Sequence, residues 1–286
     1  MKLITRKKLL YFFIGLAILI SFFYYQNNVI VTTEYSYSSK KIPENFNGFK
    51  IVQLSDLHGK SFGKNQKHLI NKVKIAKPNL IVFTGDLIDA INYNEENSLL
   101  LMGKLVQIAP VYYVTGNHEW KSGKYNSLEA ELKKTGVHVM RNAYKEIVNG
   151  KDKIFLLGID DPTNKDRLYS EQLITEKRIS NLNKEINNGS DIKILLSHRP
   201  ELLSSYSKYN INLAFTGHAH GGQFRIPFAG GLIAPNQGFF PKYTSGEYTK
   251  NNTTMIVNRG LGNSIIPIRI FNQPEIVVLT FKKEDS

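Results

Sequence analysis

Gly116-Asn117-His118-Glu119 stands just after the apolar run Val111-Tyr112-Tyr113-Val114, and four other fragments of the chain repeat that arrangement. Asp56-x-His58, Gly85-Asp86, His198 and Gly217-His218-x-His220 each stand at the exit of a short run of β-type residues. Amide, imidazole and carboxylate side chains at the exits of short buried strands are an odd thing to build for packing alone; together these fragments supply two carboxylates, one amide and up to five imidazoles. Five of the seven histidines fall within these fragments. The other two, His68 on a lysine-rich helical pattern and His138 within Val137-His138-Val139, read as ordinary surface and strand residues.

The rhythm between the fragments predicts the layers. Strands are expected over residues 31–39, 49–54, 80–83 and 111–114. Apolar Leu69, Ile70 and Val73 predict an amphipathic helix over 65–77, stopped by Pro78; a second is expected over 95–108, closed by Pro110, and a third over 126–134, with Gly136 just past it. Strand, polar loop, helix is the βαβ pattern, which implies a largely parallel sheet with ligands gathered at the carboxyl ends of its strands. The second half is richer in strands, expected over 137–140, 145–148, 153–159, 192–196, 213–215, 254–257, 266–270 and 275–281, with one long helix over 170–186. The expected class is α/β, with two stacked mixed β-sheets flanked by helices. Residues 29–286 read as one domain, without internal repeat or second boundary.

The first 28 residues read differently. Lys2, Arg6, Lys7 and Lys8 precede residues 9–25, which carry no charge. At ~1.5 Å per residue that run reaches roughly 26 Å as a helix, near the lower limit for a membrane span. It ends in bulky Phe22-Phe23-Tyr24-Tyr25 with no small-x-small cleavage site, so residues 1–28 read as an uncleaved signal anchor. A buried soluble helix would need a polar face, and none is present. The preceding positive charges predict an N-terminus in the cytoplasm and residues 29–286 on the extracytoplasmic side of the cell membrane, a single-pass arrangement. No twin arginine precedes the span.

Composition narrows the chemistry. The chain has no cysteine, which excludes disulfides, thiolate metal sites and a cysteine nucleophile, so any metal must take nitrogen and oxygen ligands. A net charge of +13 raises nucleic acid, anionic lipid or an anionic small substrate as partners. The lysines are spread along the chain and no nucleic-acid-binding motif frames them, so no nucleic acid is expected. Nothing in the pattern specifies an oligomeric state.

In an extended chain residues two apart point the same way, so Asp56 with His58, and His218 with His220, are each expected to aim together. Singly the fragments are common. As an ordered set they resemble the calcineurin-like metallophosphoesterase superfamily, whose pattern is Asp-x-His, Gly-Asp, Gly-Asn-His-(Asp/Glu), a single His and Gly-His-x-His. The resemblance runs from about Phe49 to the C-terminus. Ser197-His198-Arg199-Pro200, Gly217-His218-Ala219-His220-Gly221-Gly222-Gln223 and Asn258-Arg259-Gly260-Leu261-Gly262 are similar to the membrane-associated phosphodiesterase branch, which includes enzymes similar to UDP-2,3-diacylglucosamine pyrophosphohydrolase. The resemblance implies a four-layer αββα sandwich. It implies one divalent metal ion held by Asp56, His58 and His220, a second held by Asn117, His198 and His218, and Asp86 bridging the two. Manganese, iron and zinc all suit such a thiolate-free ligand set. Two divalent ions against two carboxylates leave a net positive site that draws a phosphodiester anion. Metal-bound hydroxide, available because coordination lowers the pKa of water from 15.7 towards about 7, is the implied nucleophile. His118 is the implied catalytic proton donor to the leaving oxygen, or a stabiliser of the charged phosphate. Asp89 and Glu119 are either orienting partners of metal-bound histidines or solvated loop residues. Arg199, Arg225 and Arg259 lie close to the motifs as candidates for a second phosphate.

Residues 224–248 are rich in aromatics and glycine, among them Phe224, Phe228, Phe239, Phe240, Tyr243 and Tyr248. Beside a membrane anchor they suit a loop that lies on the bilayer and presents a lipid-linked phosphate; equally they suit a loop folded over a sheet edge. The expected function is a metal-dependent phosphodiesterase or pyrophosphatase acting on a lipid-linked or cell-envelope phosphoester. A soluble nucleotide or other small phosphodiester as substrate, and a non-catalytic binding platform, are the competing readings.

Overall fold

The computed structural model describes residues 2–163, 169–186, 191–263 and 267–284, with side chains from Arg6 onward. Its strands are β1 Val31–Ser39, β2 Lys50–Leu54, β3 Leu80–Thr84, β4 Val111–Val114, β5 His138–Val139, β6 Ala143–Asn149, β7 Asp152–Gly158, β8 Lys193–Leu196, β9 Leu213–Thr216, β10 Arg225–Ile226, β11 Gly230–Gly231, β12 Ile233–Ala234, β13 Gly238–Phe239, β14 Gly246–Lys250, β15 Thr253–Val257 and β16 Glu275–Lys283. The α-helices are α1 Lys2–Asn28, α2 Lys67–Ala76, α3 Glu96–Leu105, α4 Asn117–Ser122, α5 Tyr125–Lys134, α6 Glu171–Glu185 and α7 Leu203–Lys208.

Two six-stranded mixed sheets form, in the orders β1-β16-β2-β3-β4-β5 and β14-β15-β9-β8-β7-β6. The central strands of each run parallel, and antiparallel pairs enter through β16 with β2, β14 with β15 and β6 with β7. Strand alternation divides the apolar side chains into three layers. Val52, Leu54, Ile81, Phe83, Val111 and Tyr113 face α2, α3 and α5. Ile51, Val82 and Val114 of the first sheet meet Leu156, Ile194, Leu196 and Phe215 of the second. Phe155, Leu157, Leu195 and Met255 pack towards α6 and α7, around Ile179, Leu182 and Tyr206. Helix, sheet, sheet, helix is the expected four-layer sandwich.

Register sets where the polar fragments fall. Leu54 is level with Phe83, and Thr84 with Val114, so the exits of β2, β3 and β4 lie side by side. In the second sheet Leu196 is level with Phe215, and Thr216 with Val257, which aligns the exits of β8, β9 and β15. Gln53, fully buried, ties the two rows together: its Nε2 donates to Thr84 Oγ1 at 3.0 Å and to the Thr216 carbonyl at 2.9 Å.

Several elements differ from the expectation. Residue 266 of the strand expected over 266–270 lies outside the described residues, and of 267–270 only Ile270 pairs, as a single bridge to Phe224. Pro267 cannot donate to a ladder, and Arg269 turns its side chain inward, where it is fully buried. The strand expected over 137–140 shortens to His138–Val139. Helix α4 begins at Asn117, inside the motif read as a loop, with the Glu119 carboxylate accepting the Gly116 N–H at the helix start. A capping carboxylate three residues after the N-cap is a signal the sequence does carry.

Candidate metal centre

Three of the five polar fragments leave their strands through left-handed backbone. Asp56, His58, Asp86, His218 and His220 all have positive φ, between 47° and 65°. Non-glycine residues in that region carry a conformational cost and gather where the surrounding fold enforces them. Asp56 and His58 therefore converge because the loop curls, not because a fraying strand alternates. His218 and His220 do not aim together as expected; they turn to different groups.

The enforcement is visible in hydrogen bonds between neighbouring exits. Asp56 N–H donates to the Gly85 carbonyl at 2.9 Å, and His58 N–H to the Asp86 carbonyl at 3.1 Å. The Glu119 carboxylate, fully buried, accepts N–H groups from Gly116 (2.6 Å), Leu87 (2.8 Å), Asp86 (3.0 Å) and Ile88 (3.3 Å). It is thus neither a partner of a metal-bound histidine nor a solvated loop residue, but a collar that holds the Asp86 loop to the start of α4. Burial, reinforced by the Asp86 charge, pushes its carboxyl up to about 7. Gly116 and Gly217 leave room for this closeness: a methyl group on Gly116 would lie 2.2 Å from Asp86 Oδ1, and one on Gly217 2.3 Å from Asp56 Oδ2.

Two buried groups result, each with ligand atoms within 4.8 Å of one another, and both contain Asp86. One joins Asp56, His58, Asp86 and His220; the other joins Asp86, His198 and His218. In the first, His58 Nε2 lies 3.1 Å from His220 Nε2 and 3.8 Å from Asp86 Oδ2, and His220 Nε2 lies 3.4 Å from Asp56 Oδ1. In the second, His198 Nε2 lies 3.1 Å from both Asp86 Oδ2 and His218 Nδ1. The fully buried His198 ring is turned by its Nδ1, 2.7 Å from the Thr84 carbonyl; the Asp86 and Asp56 carboxylates, burial notwithstanding, push this imidazole up to about 10, and a divalent ion at Nε2 would take the place of the proton held there, the Nδ1 donation fixing which nitrogen ligates.

The donor set fits a pair of divalent cations. Imidazole nitrogens and carboxylate oxygens from separate loops face one another across the cluster, and the buried Asn117 Oδ1 has no hydrogen-bond partner among the described residues. An amide oxygen left bare in a buried site costs free energy unless something accepts its lone pairs. Burial drives the His218 and His220 imidazoles well below their ordinary range, helped by Arg199 at His218 and by His58 and Arg269 at His220. Neutral imidazole is the ligating form. Asp86 is held well below the usual carboxylate range, burial notwithstanding, chiefly by His198.

Around this cluster lie residues of mixed fate. Asp89 Oδ2 sits 3.5 Å from His58 Nδ1 and 3.5 Å from His118 Nδ1, while its Oδ1 accepts the Ile91 and Asn92 N–H groups. His118 Nδ1 accepts the Ala90 N–H at 3.0 Å, so a neutral His118 carries its proton on Nε2. Burial keeps that imidazole below its ordinary range. Arg199 is taken by Asp161, through Nε at 2.5 Å and Nη2 at 3.1 Å. Arg225 donates to the Gly221 carbonyl and Thr244 Oγ1, and Arg259 faces Glu275 at 3.6 Å. Arg199 and Arg225 are thus hydrogen-bonded within the fold, whereas the buried Arg259 Nε has no hydrogen-bond partner among the described residues. Arg269, which the sequence reading passed over, is fully buried, donates to the Gly262, Arg259 and Asn272 carbonyls, and reaches within 3.4 Å of His220 Nδ1. His138 stacks on Tyr112 at 4.6 Å, and His68 is exposed; both lie outside the candidate ligand groups.

Comparison with known proteins agrees with this geometry. Residues 49–222 match the family of calcineurin-like phosphoesterases. The chain is 35% identical over 259 residues to the uncharacterized metallophosphoesterase YkuE of Bacillus subtilis, covering 88% of this chain and 85% of that one. It is 28% identical over 254 residues to a transmembrane protein with metallophosphoesterase domain of Danio rerio, covering 85% of this chain and 55% of the relative. Among solved structures, TT1561 of Thermus thermophilus aligns with a TM-score of 0.49 at 14% identity, over 75% of this chain and 91% of that one. A family match over more than half of the chain, on residues that meet in one buried cluster, makes this protein a member of the calcineurin-like phosphoesterase family, a metal-dependent phosphoester hydrolase.

Proposed function

We infer that the chain is a membrane-tethered phosphodiesterase or pyrophosphatase that hydrolyses a lipid-linked or cell-envelope phosphoester outside the cytoplasm. Residues 1–28 form the anchor and residues 29–286 the catalytic domain. The observation that carries the chemistry is the sharing of Asp86 between the two buried ligand groups. Asp56, His58 and His220 would hold one divalent ion, Asn117, His198 and His218 the second, with Asp86 between them. Such a pair, when bound, activates water and withdraws charge from a phosphoryl group. Asp86 is fixed for that task by the His118 N–H on its Oδ1 at 2.8 Å, and Asp56 by the His218 N–H at 3.1 Å. His118, neutral with its proton on Nε2, donates a hydrogen bond from that nitrogen to the charge building on the phosphate and the leaving oxygen, a role worth about 10²–10³-fold in rate. The membrane reading is supported by α1, whose Arg6–Asn28 segment is long and apolar enough to cross a bilayer, and by the transmembrane relative.

The test is Mn²⁺-dependent hydrolysis of bis-p-nitrophenyl phosphate by the full chain in detergent, with metal content measured on the same samples. Asp86→Ala is expected to lose both ions and activity; His118→Ala is expected to keep the ions and lose rate. Activity surviving Asp86→Ala overturns the two-ion reading.

A further inference from the structure

Three features outside the metal centre converge on the end of α1. The first is a pair of exposed phenylalanines in strained backbone. Phe228, at the tip between β10 and β11, is fully exposed with φ 67°, and Phe271 is half-exposed with φ 51°. Left-handed backbone at loop tips is the province of glycine and asparagine. A bulky aromatic there, facing water, carries a conformational and a hydration cost. Phe271, Ile226 and Phe228 line one shallow cavity of about 430 Å³ together with Arg225.

The second is continuity with the apolar helix. Phe22 of α1 meets Phe271 edge to face, with ring centroids 5.7 Å apart. The end of α1 is seated firmly there: Asn27 Oδ1 accepts the Arg269 N–H at 2.9 Å, Gln26 is buried, and Lys60 Nζ donates to the Asn27 carbonyl. The exposed apolar flank of α1, from Leu9 to Ile20, therefore runs on past Ser21 and through Phe22 into the Phe271 patch. The third feature is a second cavity against the same helix end, lined by Tyr24, Ile75 and Lys72 among others; Ile75 is exposed.

The geometry points to this surface as the one that lies on the bilayer α1 enters: Phe228, Phe271 and Ile75 sink to the headgroup boundary, and Lys72 faces anionic headgroups. This rests on the membrane reading above and deepens it. Aromatic and aliphatic tips beside basic side chains are the chemistry of an interfacial surface, and a second protein would need no bilayer-entering helix at its edge. The metal centre is close by in the chain. Asn272, next to Phe271, donates to the His220 carbonyl at 2.7 Å, and Gln223, next to Phe224 and Arg225, accepts from the same side chain at 3.0 Å. Seating this surface brings the His220 wall of the centre to the lipid headgroups, where a lipid-linked phosphate is presented.

The absence of cysteine makes the experiment direct. The full chain, carrying Phe228→Cys, Phe271→Cys, Ile75→Cys or, as a control on the far sheet, Val148→Cys, is nitroxide-labelled and reconstituted into vesicles of phosphatidylethanolamine and phosphatidylglycerol. Collisions with oxygen and with a water-soluble nickel chelate are then compared. The first three labels are expected to show an oxygen-to-nickel ratio severalfold above that of position 148. Ratios equal to position 148, or spin–spin broadening between copies in place of lipid contact, overturn the proposal. Hydrolysis of a soluble diester by the Phe228→Ser variant is expected to be unchanged. Loss of the lipid contacts with that activity intact refutes the surface alone, whereas loss of the activity in the unsubstituted chain refutes the enzymatic reading.

Discussion

Gly116→Ala isolates the geometry of Asp86 from every other property of the centre. Gly116 has φ −102°, a conformation alanine adopts freely, so no backbone penalty confuses the result. The added methyl would stand 2.2 Å from Asp86 Oδ1, 2.5 Å from its N and 2.8 Å from its Cγ, where ordinary contact begins near 3.4 Å. The carboxylate has to retreat by roughly 1 Å, and a misplacement of that size costs on the order of 10²-fold in rate. Overpacking of this kind also costs about 1–3 kcal/mol of stability. Because both candidate ligand groups contain Asp86, both ions are affected. The matched control is Gly103→Ala in α3, where a methyl meets nothing within 4 Å; it is expected to gain roughly 0.5–1 kcal/mol and keep full activity. The assay is kcat/KM on a soluble diester, metal content and a denaturant midpoint on the same three proteins. Wild-type turnover and metal content in Gly116→Ala would refute the argument that Asp86 is held in place by close backbone approach.

Three further outcomes follow from the same geometry. Glu119→Gln sets an amide donor against four backbone N–H groups and is expected to cost about 1–3 kcal/mol with a lower metal affinity; unchanged thermal stability and metal affinity would dismiss the collar. Asp161 is held below the ordinary carboxylate range by Arg199, burial notwithstanding, so the stability it contributes is present above the unfolded value of about 3.9 and is lost as pH falls through the folded one. The gap in stability between the wild type and Asp161→Asn should therefore be widest near neutrality and narrow on acidification below about pH 4; urea unfolding at a series of pH values reads it, and a constant gap contradicts it. Finally, Phe239 and Phe240 are both largely exposed. Replacing them with serine is expected to slow turnover of a lipid-linked diester while sparing a soluble one, and equal rates on the lipid substrate would rule this loop out as its entrance.

The ordered fragments, the absence of thiolate ligands and the strand–loop–helix rhythm were all legible in the residues themselves, because each is local: a short apolar run names a strand, and a glycine or proline names its end. That is why the sandwich, and the meeting of Asp56, His58, Asp86, His198, His218 and His220 in two adjoining buried groups, could be anticipated from the chain alone. What each side chain faces was decided only by the stacking of two sheets. His218 and His220, two residues apart, diverge because each sits in left-handed backbone with right-handed Ala219 between them, an event alternation cannot report. Arg199 and Asp161 meet across strands β7 and β8, and that pairing removes a guanidinium which motif proximity alone offers to a phosphate. Glu119 became a collar, and Arg269 a buried brace, because their partners are backbone N–H and C=O groups of distant loops, which carry no residue identity for a sequence to display.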